Sequence, residues 1–256
     1  MNVFEYNQSA WNQEARARGP WSLPVSDEQM AAARAGRPKL LLTPTTPVPS
    51  DWLRSVSGSD VLCLASGGGQ QAPLLAAAGA NVTVLDCSEE QLALDRAVCE
   101  RHSLRVSTVL GDMAEVPLRS QSFDLIVNAC STLFVPDVLP VWAEAHRMLR
   151  PSGTLIAGFL NPLYFLFDRE LDDSGELVVR HALPYSDLTG SGAARGEKKR
   201  AEHATLEFGH TLTDQLGGQI AAGFAITGFF EDRWNDRATN LNRYTPVYIV
   251  TRAQRA

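Results

Sequence analysis

Between residues 60 and 160 the apolar positions alternate between two periods. DVLCLA (60–65) is a continuous apolar run after its first residue, too short for a helix. QQAPLLAAAG (70–79) reads as a helix ending at Gly79, and NVTVLD (81–86) as a second strand. SEEQLALDRAVCERH (88–102) is helical, with Ser88 at the N-cap and Gln91 three residues on. RVSTVLGD (105–112) and FDLIVNAC (123–130) are strands. VPDVLPVWAEAHRMLR (135–150) is a helix stopped by PSG, and TLIAGFL (154–160) is a fifth strand. Strand and helix in alternation, with short turns, predict right-handed βαβ units and a parallel sheet covered on both faces.

The flanks break this rhythm. Residues 1–50 carry Pro20, Pro24, Pro38, Pro44, Pro47 and Pro49. Short helices fit at 8–17 and 26–35, the second with Ser26 and Gln29 as a capping box. LLTPTTPVPSDWL (41–53) reads as an extended connector. RELDDSGELVVRHALPYSD (169–187) predicts two short extended runs about a DDSG turn, and LTGSGAARGEKKRAEH (188–203) a polar loop with EKKR solvated. Thr211 and Asp214 start a helix over 212–223, and FAITGFFED (224–232) and PVYIVTRA (246–253) are final strands. The expected organisation is a helical cap over 1–55, a core over 56–161, a substrate-side insertion over 162–210, and a helix and strands completing the core over 211–256.

The chain of 256 residues suits one large α/β domain with a cap, and 45% apolar residues supply its core. Its net charge of −6 argues against gripping a phosphate backbone, so no nucleic-acid partner is expected. Cys63, Cys87, Cys99 and Cys130 form no C-x-x-C pair, and small buried thiols are expected, with no disulfide framework and no metal site. The polar N-terminus lacks an apolar signal core, and no run reaches about 18 apolar residues. A cytoplasmic monomer or homodimer without a membrane span is the expectation.

Three glycines, Gly67 to Gly69, stand where the first strand of the array turns into its first helix. One reading is a tight turn; the other is bare main chain that a ligand approaches closely. Ligands of parallel sheets bind outside the carboxyl ends of the strands, near helix N-termini. Gly67, Gly69 and Ala72 make a weak G-x-G-x-x-A match. Asp86, at the tip of the second strand, is placed to accept from both ribose hydroxyls of an adenosine; its other reading is a helix cap. After the third strand, Asp112 suits an adenine amine, and the Met113 N–H a ring nitrogen.

Together VLCLASGGGQ, VTVLDCSEEQL, GDMAEVPLRSQSFDLIVNAC and AEAHRMLRPSGTLIAGF resemble the class I S-adenosylmethionine-dependent methyltransferases. The similarity runs over roughly 60 to 252 and is nearest to small-molecule enzymes of the ubiquinone/menaquinone type. It implies a Rossmann-like α/β fold: a seven-stranded, mostly parallel sheet with the last strand antiparallel. It implies S-adenosylmethionine as cofactor, held by Ala65, Ser66, Gly67, Gly69, Gln70, Asp86, Cys87, Gln91, Gly111, Asp112, Met113, Asn128, Ala129 and Cys130. The glycine turn would face the methionyl part, Cys87 the adenine, and Cys130 the sulfonium. This chain departs from the pattern at Cys63, where the family usually has an acid, and at Ala65, where it usually has glycine. The dehydrogenase alternative weakens, because nothing after the fifth strand offers a second nucleotide half.

Methyl transfer from a sulfonium needs alignment and exclusion of water, so no triad or metal is required. NPLY (161–164) follows the fifth strand and reads as a chain turn. Phe4, Tyr6, Trp11, Trp21, Tyr164, Phe165, Phe167 and Tyr185 make the two flanking segments rich in aromatics. They suit either a cap over a small, partly apolar acceptor or a flap packed for stability. His210 and Tyr185 are the acid–base candidates, though a structural histidine is also a natural reading. Two other classes stay open: a non-catalytic adenosylmethionine-binding protein, and a nucleic-acid methyltransferase.

Overall fold

The computed structural model describes residues 1–53, 56–235 and 237–256. The strands of the array form β1 (Asp60–Leu64), β2 (Asn81–Asp86), β3 (Val106–Leu110), β4 (Phe123–Ala129) and β5 (Leu149–Leu160). A hairpin-like pair, β8 (Phe224–Asp232) and β9 (Tyr248–Arg255), completes a seven-stranded sheet in the order β3-β2-β1-β4-β5-β9-β8. β9 runs antiparallel to both its neighbours, so the expected mostly parallel sheet with its last strand reversed is present. Two further short strands, β6 (Tyr185–Ser186) and β7 (Phe208–Gly209), pair with each other away from this sheet.

The continuous apolar runs have a simple cause: both faces are covered. Val61 and Cys63 point to one face, where they meet Leu75 of α3 (Gln71–Ala77) and Leu92 of α4 (Glu89–Arg101). Leu62 and Leu64 point to the other, against Trp142 and Met148 of α5 (Leu139–Met148). Cys63 is fully buried in the first layer.

Local signals held at several ends. Ser26 and Gln29 form the expected capping box before α2 (Asp27–Arg34). Ser88 caps α4 by accepting from the Gln91 N–H. Thr211 and Asp214 exchange their hydrogen bonds as expected, although the segment opens as a π turn (213–217) before α8 (Gly218–Ala221).

Other expectations are corrected. The first helix, α1, spans Val3–Ala17, because Asn2 supplies the cap several residues earlier than position 8. α5 passes into β5 at Leu149, before PSG, and those three residues lie within the strand. The proline-rich connector has no regular element over 41–49, as expected, and its Leu42 and Val48 are buried against the sheet. RELDDSG is a helix, α6 (Arg169–Ser174), capped by Asp168 and closed by left-handed Gly175. EKKR lies in a helix, α7 (Ala193–Ala201), whose Lys199 is buried. The boundary expected at position 55 falls outside the described residues.

Candidate active site

The carboxyl ends of β1, β2, β4 and β5 open on one cavity of about 680 Å³. The chain turns sharply there. Ala65, just after β1, and Cys130, just after β4, are both left-handed, with φ of 46° and 49°. Such values are strained for residues with a Cβ, and they cluster where a site demands them. Both residues line the cavity.

The glycine turn is held by carboxylates on both sides. Gly67 N–H donates to Asp86 Oδ2 at 2.8 Å. Gly68 and Gly69 N–H groups donate to the two oxygens of Asp95, each at 3.1 Å. Asp95 is fully buried on α4, one turn after Gln91. Gln91 does not close a capping box; its Nε2 donates to Ser22 Oγ at 2.7 Å and so ties α4 to the N-terminal segment. A Cβ on Gly67 would sit 2.7 Å from Gln91 Cβ and 3.0 Å from Asp86 Cγ. Gly68 and Gly69 have φ of 115° and 74°. Three glycines are spent because the helix, the second strand and the N-terminal segment all press on one turn.

Asp86 is 8% exposed and accepts a second main-chain bond, from Ser88 N–H at 2.9 Å. Burial pushes its pKa up, against the pull of those N–H donors. The Cys87 thiol and N–H also interact with this carboxylate, and the residue still lines the cavity. Cys87, Gly111, Asp112 and Met113 continue this wall. Burial, then the Glu207 carboxylate, push the Cys130 thiol up to about 12, so it stays neutral at pH 7.

The N-terminal helix closes the top. Gln8 Nε2 donates to the Cys87 carbonyl at 2.8 Å, and Asn12 Oδ1 accepts from Ser88 Oγ at 2.7 Å. Buried Asn7 donates to the carbonyls of Phe134 and Leu206 and accepts from Leu206 N–H. α1 thus bridges the core and the insertion. Trp11 meets Phe134 edge-on at 5.0 Å, and Phe4, Trp11 and Trp21 all line the cavity. At the far end stand Leu160, Tyr164, Trp234, Tyr248 and Glu207.

Of the residues expected from the sequence, Ala65, Ser66, Gly67, Gln70, Asp86, Cys87, Gln91, Gly111, Asp112, Met113, Ala129 and Cys130 come together on the wall. Gly69 does not, being covered by Pro24 and Val98. Asn128 does not either; it is fully buried and donates to the Leu64 carbonyl and Ser131 Oγ. His210 and Tyr185 also lie off the wall. His210 Nε2 donates to the Thr132 carbonyl at 3.0 Å, and burial lowers its pKa. Tyr185 donates its hydroxyl to buried Asp187 at 2.6 Å. Tyr6, Phe165 and Phe167 pack elsewhere. Among the described residues, no group of three or more His, Cys, Asp or Glu is placed to hold a metal ion.

A chain with this sheet order and this cavity has relatives. The methyltransferase domain family (Methyltransf_11) matches residues 62–157. An uncharacterized methyltransferase of Bacillus subtilis, YbaJ, is 45% identical over 255 residues, covering 99% of both chains. This chain belongs to the class I S-adenosylmethionine-dependent methyltransferases. The methyltransferase is also 27% identical, over 78% of its length and 73% of the relative's, to the ubiquinone/menaquinone biosynthesis C-methyltransferase UbiE of Rubrivivax gelatinosus. Among solved structures, an S-adenosylmethionine-dependent methyltransferase of Mesorhizobium loti shares the fold at a TM-score of 0.61 and 21% identity, over 80% of this chain and 94% of that one. A Burkholderia thailandensis N1-methyltransferase, solved with 1,6-didemethyltoxoflavin and S-adenosylhomocysteine, does so at a TM-score of 0.60 and 15% identity, over 98% of this chain and 88% of that one. S-adenosylmethionine is the cofactor of this methyltransferase.

Two features escaped the sequence. Asp95 gave one faint signal, an acid on the apolar face of α4. Glu207 gave none, because its partners lie on a helix read as a loop.

Proposed function

We propose that the methyltransferase transfers a methyl group from S-adenosylmethionine to a small, largely apolar acceptor held in the same cavity. The observation that carries this reading is one continuous space, running from Asp86 and Asp112 at one end to Tyr164 and Trp234 at the other. Its size falls within the range of small-molecule sites. In that reading Asp86 accepts the ribose hydroxyls. Asp112 and Met113 meet the adenine edge, and Cys87 packs against the adenine face. Ala65, Ser66, Gly67 and Gln70 lie along the methionyl part. Cys63 is buried away from the cavity, so it holds no ammonium group; main-chain carbonyls of the turn take that role.

The bound cofactor supplies an activated methyl on a sulfonium, with a neutral thioether as leaving group. The chain's own contribution is alignment and dryness. α1 and the 162–210 insertion cover the cavity and keep water out. The neutral Cys130 thiol does not compete for the methyl group, because the thiolate is the nucleophile. A net charge of −6 supports a small-molecule acceptor over nucleic acid. Four free cysteines fit a cytoplasmic setting.

Incubation with a metabolite extract and methyl-deuterated S-adenosylmethionine tests the proposal. Mass spectrometry is expected to find label in a small metabolite. Label found only in RNA, DNA or protein contradicts it.

A further inference from the structure

Among the rings at the far end of the cavity stands the carboxylate of Glu207, and the protein holds it from behind. Glu207 immediately precedes β7 and lines the cavity. Lys199 Nζ lies 3.0 Å and Arg195 Nη2 3.2 Å from the same atom, Oε2. The two cations are four residues apart on α7, so one helix face presents both. Lys199 also pairs with buried Asp187 at 2.8 Å, and the Glu207 N–H donates to that same carboxylate at 2.8 Å. Two cations therefore balance two carboxylates, and the arrangement fixes Glu207 in place.

Among the described residues no donor reaches the other oxygen, Oε1. The hydroxyls of Tyr164 and Tyr248, on the same wall, also lack a hydrogen-bond partner among the described residues. Apart from those two hydroxyls, the wall there is built of rings: Trp234 lies 5.6 Å from Tyr248 and 6.4 Å from Tyr164, centroid to centroid. A preorganised oxygen in an apolar, ring-lined space is the arrangement that gives a binding pocket its orientation.

We propose that Glu207 Oε1 anchors the methyl acceptor, and that the acceptor is a flat aromatic or heteroaromatic molecule presenting an N–H or O–H to it. The inference rests on reading the cavity as a joint cofactor and acceptor site. A carboxylate only accepts, so its complement must donate. The charge of Glu207 is already matched by Arg195 and Lys199, which favours a neutral donor over an ammonium. Ring-bearing walls favour a flat partner. Held by two ion pairs, Glu207 serves to bind and orient the acceptor.

Ligand-observed NMR on the S-adenosylhomocysteine-bound protein tests this with two probe pairs, indole against 1-methylindole and phenol against anisole. The N–H or O–H member of each pair is expected to bind about tenfold more tightly, since a site built around a donor rejects the analogue lacking it. In Glu207→Gln the amide oxygen turns toward the two cations and the NH₂ faces the cavity. The preference then falls to about twofold or reverses, while S-adenosylhomocysteine affinity stays within about threefold. Glu207→Asp withdraws the carboxylate by one methylene, lowers the preference in the same direction, and serves if the glutamine variant does not fold. Equal binding within each pair, no binding of any probe, or a preference retained in the folded variants overturns the proposal. Failure of the wild-type protein to bind S-adenosylhomocysteine instead strikes the underlying reading of the cavity.

Discussion

The main-chain N–H of Gly67 donates to Asp86 Oδ2 at 2.8 Å, joining the turn after β1 to the tip of β2. This bond makes the glycine and the carboxylate one unit. Gly67→Ala places a methyl group 2.7 Å from Gln91 Cβ, where something must shift. Overpacking of this kind costs roughly 1–3 kcal/mol. We expect urea denaturation to show that loss, and calorimetry to show at least tenfold weaker S-adenosylhomocysteine binding. Loss of binding with stability unchanged would mean the glycine serves the ligand alone.

Ala65 stands left-handed at a place where glycine carries no steric penalty. Relieving that strain gains about 1–2 kcal/mol, and the freer unfolded chain takes back about 0.4–1. Ala65→Gly should therefore stabilise the protein modestly, with cofactor affinity within about twofold. A drop in the urea midpoint would show that φ at this position carries no strain.

Asn7 joins α1 to two other segments through three hydrogen bonds. Asn7→Ala leaves two carbonyls and one N–H without their partner, at a cost of about 2–4 kcal/mol. Hydrogen exchange is expected to speed up in 3–17 and 204–207 together. Acceleration confined to α1 would show that the insertion is held independently.

Asp232 ties the N-terminal strap to the end of β8. It accepts from the N–H groups of Thr45 and Thr46 at 2.9 and 3.0 Å, and from both hydroxyls. Burial alone would raise its pKa; these donors outweigh it and hold the value at about 2, down from 3.8. The folded value is the lower one, so the stabilisation is present above about pH 4 and is lost as pH falls through about 2, amounting to roughly 2 kcal/mol. Asp232→Asn should lower stability at neutral pH and flatten that acid limb. Parallel acid limbs in the two proteins would remove Asp232 as its source.

How far the sequence reached depended on how local each signal was. The run at 61–64 is apolar because helices cover both faces of its sheet, and it was legible for that reason. Ser26 and Ser88 act within a few residues of themselves and were legible too, and Asp86, at a strand tip, was legible as a residue of the cavity wall. α6 carried its own marks, Asp168 at the start and left-handed Gly175 at the end, but its short charged body showed no apolar period. α7 looked like a loop because only Lys199 among its charges is buried, and a distant Asp187 buries it. Glu207 was illegible in turn, since its meaning comes from α7. Trp234 and Tyr248 reach the cavity only because β8 and β9 fold back onto β5.

In the proposed site Asp86 holds the cofactor ribose. S-adenosylhomocysteine titrated by calorimetry into wild-type protein and Asp86→Ala tests it most directly. The carboxylate also fixes Gly67 and Ser88, so the variant should melt somewhat lower yet remain folded. Charge-assisted hydrogen bonds to two hydroxyls, partly replaced by water, predict a loss of about 2–4 kcal/mol, or on the order of 30- to 1000-fold weaker binding. A loss below about threefold in a folded variant would contradict the account and remove Asp86 from the site.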